Sequence, residues 1–181
     1  MWKDRIIFIL KMRGYTKQGE YEVKTVNITG KQSMKPEIDV VYELEVDMPA
    51  LAYLTKEETN EIFRDGRHCA PWGERAFAKI FGWDRVDAKG YDFVLPDGRK
   101  VDAKNMTKHG LRFSASHMIG AGRKFVKEEH EKHANSIGFL CIDIVNFPKI
   151  RAVWKNGTTM VKQYPSGDVS TARREELFGV E

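Results

Sequence analysis

Two aspartates and a lysine carry the densest chemistry in the chain. Asp92 lies in Tyr91-Asp92-Phe93-Val94, and Asp102 and Lys104 follow in Val101-Asp102-Ala103-Lys104 after nine intervening residues. Between them stands Pro96-Asp97-Gly98, whose residues favour a tight turn, so the two segments read as a hairpin. Side chains alternate along a strand, which puts Asp102 and Lys104 on one face and Val101 and Ala103 on the other, toward a core. Carboxylates gathered across a hairpin concentrate negative charge, and a hard cation such as Mg²⁺ offsets that charge through oxygen ligands.

An acidic residue two before a lysine occurs three times, as Glu22-Val23-Lys24, Asp87-Ala88-Lys89 and Asp102-Ala103-Lys104. The tripeptide alone carries little information. Glu22 has no carboxylate-bearing strand before it and Asp87 lacks the hairpin, which makes Asp102 the preferred register and Asp87 its rival. His130 and His133 stand three apart on a predicted helix among Glu128, Glu129, Glu131 and Lys132, and read as a solvated face. His109 and His117 flank a basic loop and read as surface histidines. Cys69 and Cys141 lack the paired spacing of a zinc site or a disulfide framework, and Cys69 lacks a nucleophile's partners. Gly120-Ala121-Gly122 is too short for a phosphate-binding loop.

Stepping along the elements that must hold these groups, residues 20–28 and 38–46 are rich in β-branched and aromatic residues and read as antiparallel strands, with a third possible near Ile6. Residues 55–65 open with a Thr55/Glu58 capping box and stop at Gly66. Trp72, Ala76, Phe77 and Ile80 recur at helical spacing before Gly82. Strands are expected over 84–88, 91–95 and 99–105, a charged helix over 121–134, and a strand covered on both faces over 137–145. Asn156-Gly157 reads as a hairpin turn between strands at 150–153 and 158–161, before a short C-terminal helix.

The order helix, three strands, helix, strand, with Asp92 and then Asp102-Ala103-Lys104, resembles the PD-(D/E)XK nuclease superfamily over roughly residues 72–145. Gly90-Tyr91 stands where that family's name has proline. The resemblance implies an α/β, restriction-endonuclease-like mixed central sheet flanked by helices. It further implies that Asp92 and Asp102 bind Mg²⁺, for which Mn²⁺ substitutes. Lys104 then positions or activates the attacking water, and Glu74, from the preceding helix, joins the metal site. Residues 55–181 would form this core, and residues 1–54 a β-rich subdomain or extension for DNA binding or dimerisation.

Charge distribution fits a polyanionic partner. Residues 37–65 hold nine acidic and two basic side chains, net −7, whereas residues 99–127 hold eight basic and one acidic, net +7. Within or beside the basic stretch, Lys108, Arg112, Arg123, Lys124 and Lys127 are expected to contact DNA phosphates, as are the hydroxyls of Ser114 and Ser116. The whole chain of 181 residues carries a net charge of +4 and is 41% hydrophobic, enough to bury a core. It has no run of the roughly 18 to 20 apolar residues that a membrane span needs, no signal-peptide pattern and two cysteines, so a reducing cytoplasm is expected. The expected function is a metal-dependent DNA endonuclease, and symmetric cleavage of both strands would favour a homodimer. The alternative is a non-catalytic nucleic-acid-binding or interaction protein with a nuclease-like fold; RNA is a third possible target.

Overall fold

The computed structural model describes residues 8–15, 21–28, 33–47 and 49–179, the first two segments as backbone only. Among them, strands β1 (Phe8–Tyr15), β2 (Tyr21–Ile28) and β3 (Val41–Glu45) precede helices α1 (Lys56–Phe63) and α2 (Gly66–Phe81). Strands β4 (Asp84–Ala88), β5 (Tyr91–Val94), β6 (Lys100–Met106) and β7 (Leu111–Arg112) follow, then α3 (Lys127–Asn135), β8 (Gly138–Asp143), β9 (Lys149–Asn156), α4 (Gly157–Gln163), β10 (Asp168–Val169) and α5 (Arg174–Phe178).

Eight of these strands form one mixed sheet in the order β2-β1-β3-β9-β8-β6-β5-β4, while β7 and β10 pair separately. Only β6 and β8 run parallel; every other neighbouring pair is antiparallel. A parallel pair needs a crossover, and α3 lies in the segment that supplies it. The β-rich N-terminal stretch extends this sheet through β3, which pairs with β9. Its strands 21–28 and 41–45 are not partners of one another, because β1 lies between them and pairs with both.

Alternation along the central strands builds a core on each face. Leu140 and Ile142 of β8 join Val101, Phe93, Trp83 and the α2 residues Cys69, Phe77, Ile80 and Phe81 on one side. Phe139 and Cys141 join Met106, Ala134 of α3, Met160 of α4 and Phe178 of α5 on the other. Both faces of β8 are therefore covered, as its continuous apolar run requires.

Local sequence explains the helix boundaries, including those it misplaces. Thr55 and Glu58 form the expected capping box at α1. Gly66 does not stop a helix but opens α2, whose N-cap is Asp65, and Pro71 lies inside it. The proline removes only one ladder bond, to the Arg67 carbonyl, and the apolar face of α2 packed on the sheet outweighs that loss. Gly82 closes α2 in the left-handed conformation, φ 64°. The charged helix begins at Lys127, later than expected, because Gly120 and Gly122 take φ 112° and 76° in the loop before it. Asn156-Gly157 is not a hairpin turn: Asn156 caps α4 by accepting a hydrogen bond from the Thr158 N–H. Gly157 is required there by close approach, since a Cβ would fall 1.8 Å from the Ala134 carbonyl oxygen and 2.4 Å from that of Ile137.

Candidate active site

The β5–β6 ladder pairs Val94 with Lys100 and Phe93 with Val101, then ends one pair short of Asp92 and Asp102. Beyond that point the Asp92 side chain replaces the ladder, its Oδ2 accepting the Ala103 N–H at 2.7 Å. Phe93 and Val101 point into the α2-side core, so Asp92, Asp102 and Lys104 share the opposite face, the one α3 covers. Lys104 Nζ lies 2.9 Å from Asp102 Oδ2. The hairpin reading of Asp92, Asp102 and Lys104 thus brings all three together.

Asp102 is only 7% exposed. Burial raises its pKa, the Lys104 ammonium pulls it back and the neighbouring Asp92 raises it, to about 7 in all. A carboxyl whose ionisation is opposed by burial and a second carboxylate, and only partly relieved by Lys104, ionises more readily beside a further positive charge. Two adjacent carboxylates, one fixed by a backbone N–H, fit the oxygen donor set of a hard divalent cation. Among the described residues no three His, Cys, Asp or Glu side chains form a ready metal-holding group.

Glu74 stands apart from the pair. It projects from α2, on the other face of the sheet, and binds Arg85 of β4 through contacts of 2.8 and 3.0 Å. The rival Asp87 and Lys89 are exposed on the edge strand and the turn after it, where β4 is irregular between Arg85 and Ala88. Glu22 and Lys24 lie on β2, at the far edge of the sheet.

The expected DNA contacts divide sharply. Ser116, Lys108, Arg112, Arg123, Lys124 and Lys127 are exposed. Arg112 is paired with Asp168 at 2.5 Å, Arg123 folds back onto the Ser116 and Ile119 carbonyls, and Lys127 stands 3.7 Å from Glu131. Ser114 is 4% exposed, so its hydroxyl is closed off from any surface ligand. A Cβ on Gly167 would come within 2.0 Å of it, because the Phe113 N–H bonds the Gly167 carbonyl and draws that loop over the serine.

The two histidines assigned to a solvated face are not solvated. His130 is fully buried, with both ring nitrogens unpartnered, between Phe113 and Phe125. His133 is half-buried with Nε2 unpartnered. Their signal lay in the spacing of Val126, His130, His133, Ala134 and Ile137, a helical stripe hidden by the charged residues between. Cys69 and Cys141 are free and buried, their thiols pushed up to about 12, which leaves neither available as a nucleophile.

A separate cleft of about 430 Å³ lies at the other end of β8, lined by Glu43, Glu45, Lys149, Arg151, Arg174 and Glu175 among others. Beneath it Asp143, 1% exposed, takes Arg151 and Arg174 at 2.7 and 2.8 Å, and Arg151 also binds Glu175 at 2.6 Å. These groups tie α5 to the sheet and stand apart from Asp102, which is level with Phe139 near the start of β8.

The fold is α/β with a mixed sheet between helical layers. No described helix is long and apolar enough to cross a membrane. Compared with protein-family models, with curated proteins and with solved structures, the chain matches none.

Proposed function

We propose that the chain is a metal-dependent endonuclease of restriction-endonuclease-like fold, hydrolysing DNA phosphodiester bonds. One observation carries this reading: Asp92, Asp102 and Lys104 meet where the β5–β6 ladder ends, with Asp102 nearly buried. Burying one carboxylate beside a second, half-buried one costs stability, and a lysine offsets only part of it. Such an expense fits a working site better than a scaffold.

Asp92 and Asp102 would hold Mg²⁺, or Mn²⁺ in its place. The cation, when bound, supplies charge stabilisation and a more acidic water. The Ala103 N–H fixes the Asp92 carboxylate, so its orientation does not depend on a mobile partner. Lys104, on the same face, supplies a donor and a positive charge for the attacking water or the phosphoryl oxygens. Glu74, on the opposite face of the sheet and bound to Arg85, takes no part in this site. Lys108, Ser116, Arg123, Lys124 and Lys127 offer the exposed donors for a phosphate backbone, and the strands at the sheet's β2 edge offer a place for DNA or a second copy.

Incubating the protein with plasmid DNA and with RNA, in Mg²⁺, Mn²⁺ or EDTA, tests the proposal. Cleavage of DNA that stops in EDTA and in Asp92→Ala is expected. Cleavage that persists in EDTA rejects the metal site, RNA cleavage alone redirects the substrate, and binding without cleavage returns the non-catalytic alternative.

A further inference from the structure

His133 reaches the face of the sheet that carries the paired carboxylates. Its ring packs on the β4–β5 turn, where a Cβ on Gly90 would lie 3.2 Å from His133 Cε1 and 4.0 Å from Nδ1. Gly90 is two residues before Asp92, so the helix α3 is seated directly over the candidate site. Nε2, bonded to the same Cε1, lies beyond 4 Å from that position. That atom is closed to solvent and has no hydrogen-bond partner. Among the charges acting on the ring, Lys104 is the largest.

An unsatisfied buried nitrogen costs on the order of 1–3 kcal/mol, and helix α3 offers it no relief. Lys104 has donors to spare, since an ammonium carries three N–H groups and Asp102 is its one ion-pair partner among the described residues. In the present arrangement that pairing occupies Asp102 Oδ2, and a cation held by Asp102 would compete with it. If Asp102 turns its oxygen to a cation, the ammonium needs another acceptor; His133 Nε2 is unpartnered and belongs to the α3 ring on which Lys104 acts more strongly than any other charge.

We propose that His133 is a positioning residue for Lys104: when Asp102 gives its oxygen to a divalent cation, Lys104 Nζ donates to His133 Nε2 and is held beside the reacting phosphate. The inference rests on the nuclease reading above. It assigns α3 a task beyond the phosphate contact expected of Lys127, and it makes the placement of Lys104 depend on the cation.

The test uses full-length protein labelled with ¹⁵N-histidine and titrated with Mg²⁺ in the absence of DNA, with calorimetry on the same samples. The His133 resonance is assigned by its loss in His133→Gln. Its Nε2 signal is expected to move toward the position of a hydrogen-bonded acceptor as Mg²⁺ binds, and to stay still in Lys104→Ala. Heat of Mg²⁺ binding with an unmoved Nε2 signal overturns the role of His133 alone; no heat with either Mg²⁺ or Mn²⁺ overturns the metal site beneath it. In single-turnover cleavage, His133→Leu should lose about tenfold in rate with DNA affinity unchanged, the scale of one lost hydrogen bond. His133→Gln, which keeps an acceptor, should recover most of it. Equal rates for the Leu and Gln proteins, both melting as wild type does, would also overturn the proposal.

Discussion

At the residue scale the decisive group is Asp102, because its stability effect and its proposed chemical effect have opposite signs. Its pKa is raised from 3.8 to about 7 in the folded protein, so the native state holds a proton that the unfolded chain has already released. Stability from this group is complete below about pH 4, falls as pH rises toward 7, and stays lost above it. Asp102→Asn removes that loss. In EDTA at pH 8 the variant should be more stable than wild type, by up to about 4 kcal/mol from a shift of roughly three pH units, and the two should converge near pH 4. Urea unfolding at both pH values measures this. The same variant should lose cleavage by on the order of a thousandfold or more. A variant that is stabilised and inactive marks a functional carboxylate, whereas one that is destabilised at pH 8 marks a structural ion pair with Lys104.

At the scale of elements, the join between α3, β8 and α4 is set by one missing side chain. Gly157 opens α4 with its N–H on the Ile137 carbonyl at 3.2 Å, and a Cβ would collide with two backbone oxygens that cannot swing aside. Gly157→Ala should therefore destabilise by roughly 1–3 kcal/mol or more, as overpacking does, read as a fall in melting temperature. Gly98→Ala provides the contrast. There the space is open and φ is +83°, so only the backbone preference, about 1 kcal/mol, is lost. If the two substitutions cost the same, close approach is not what fixes Gly157.

At the scale of the whole molecule two charge systems divide the labour. Asp143, buried, is neutralised by Arg151 and Arg174, and Arg151 links it to the exposed Glu175, anchoring the C-terminal helix whose Phe178 fills the second core. Asp143→Ala leaves two half-buried guanidiniums short of a partner and should cost on the order of 3 kcal/mol, visible as a lower urea midpoint at pH 7. Cleavage, measured where the variant is folded, should be unaffected. The basic stretch is external, and in the proposed function it binds the phosphate backbone. Reversing the charge of Lys124 and Lys127 should weaken DNA binding and flatten its dependence on log salt by about 2, one counterion-release increment per phosphate contact. A slope equal to that of wild type would place these lysines away from the DNA.

How much of this was legible in the sequence follows from the range of the interactions involved. Period-two alternation and the Pro96-Asp97-Gly98 turn are local, and they suffice to bring Asp92, Asp102 and Lys104 onto one face of adjoining strands. Thr55 with Glu58, and the apolar run of β8, were equally readable because capping and two-sided burial act within one element. Tertiary packing decided the rest. Asn156-Gly157 satisfies a hairpin and a helix start alike, and the approach of the Ala134 and Ile137 carbonyls selects the helix. Nothing near Ser114 in the chain indicates that Gly167, more than fifty residues later, closes over it. Glu74 sits at a suitable distance along the chain, yet α2 covers the face of the sheet turned away from Asp102, and Arg85 claims its carboxylate. The helix bearing His130 and His133 looks polar on every residue between them; only its seating over Phe113 and Gly90 encloses the His130 ring and part of the His133 ring, because burial is a property of what packs against a side chain and not of its neighbours in sequence.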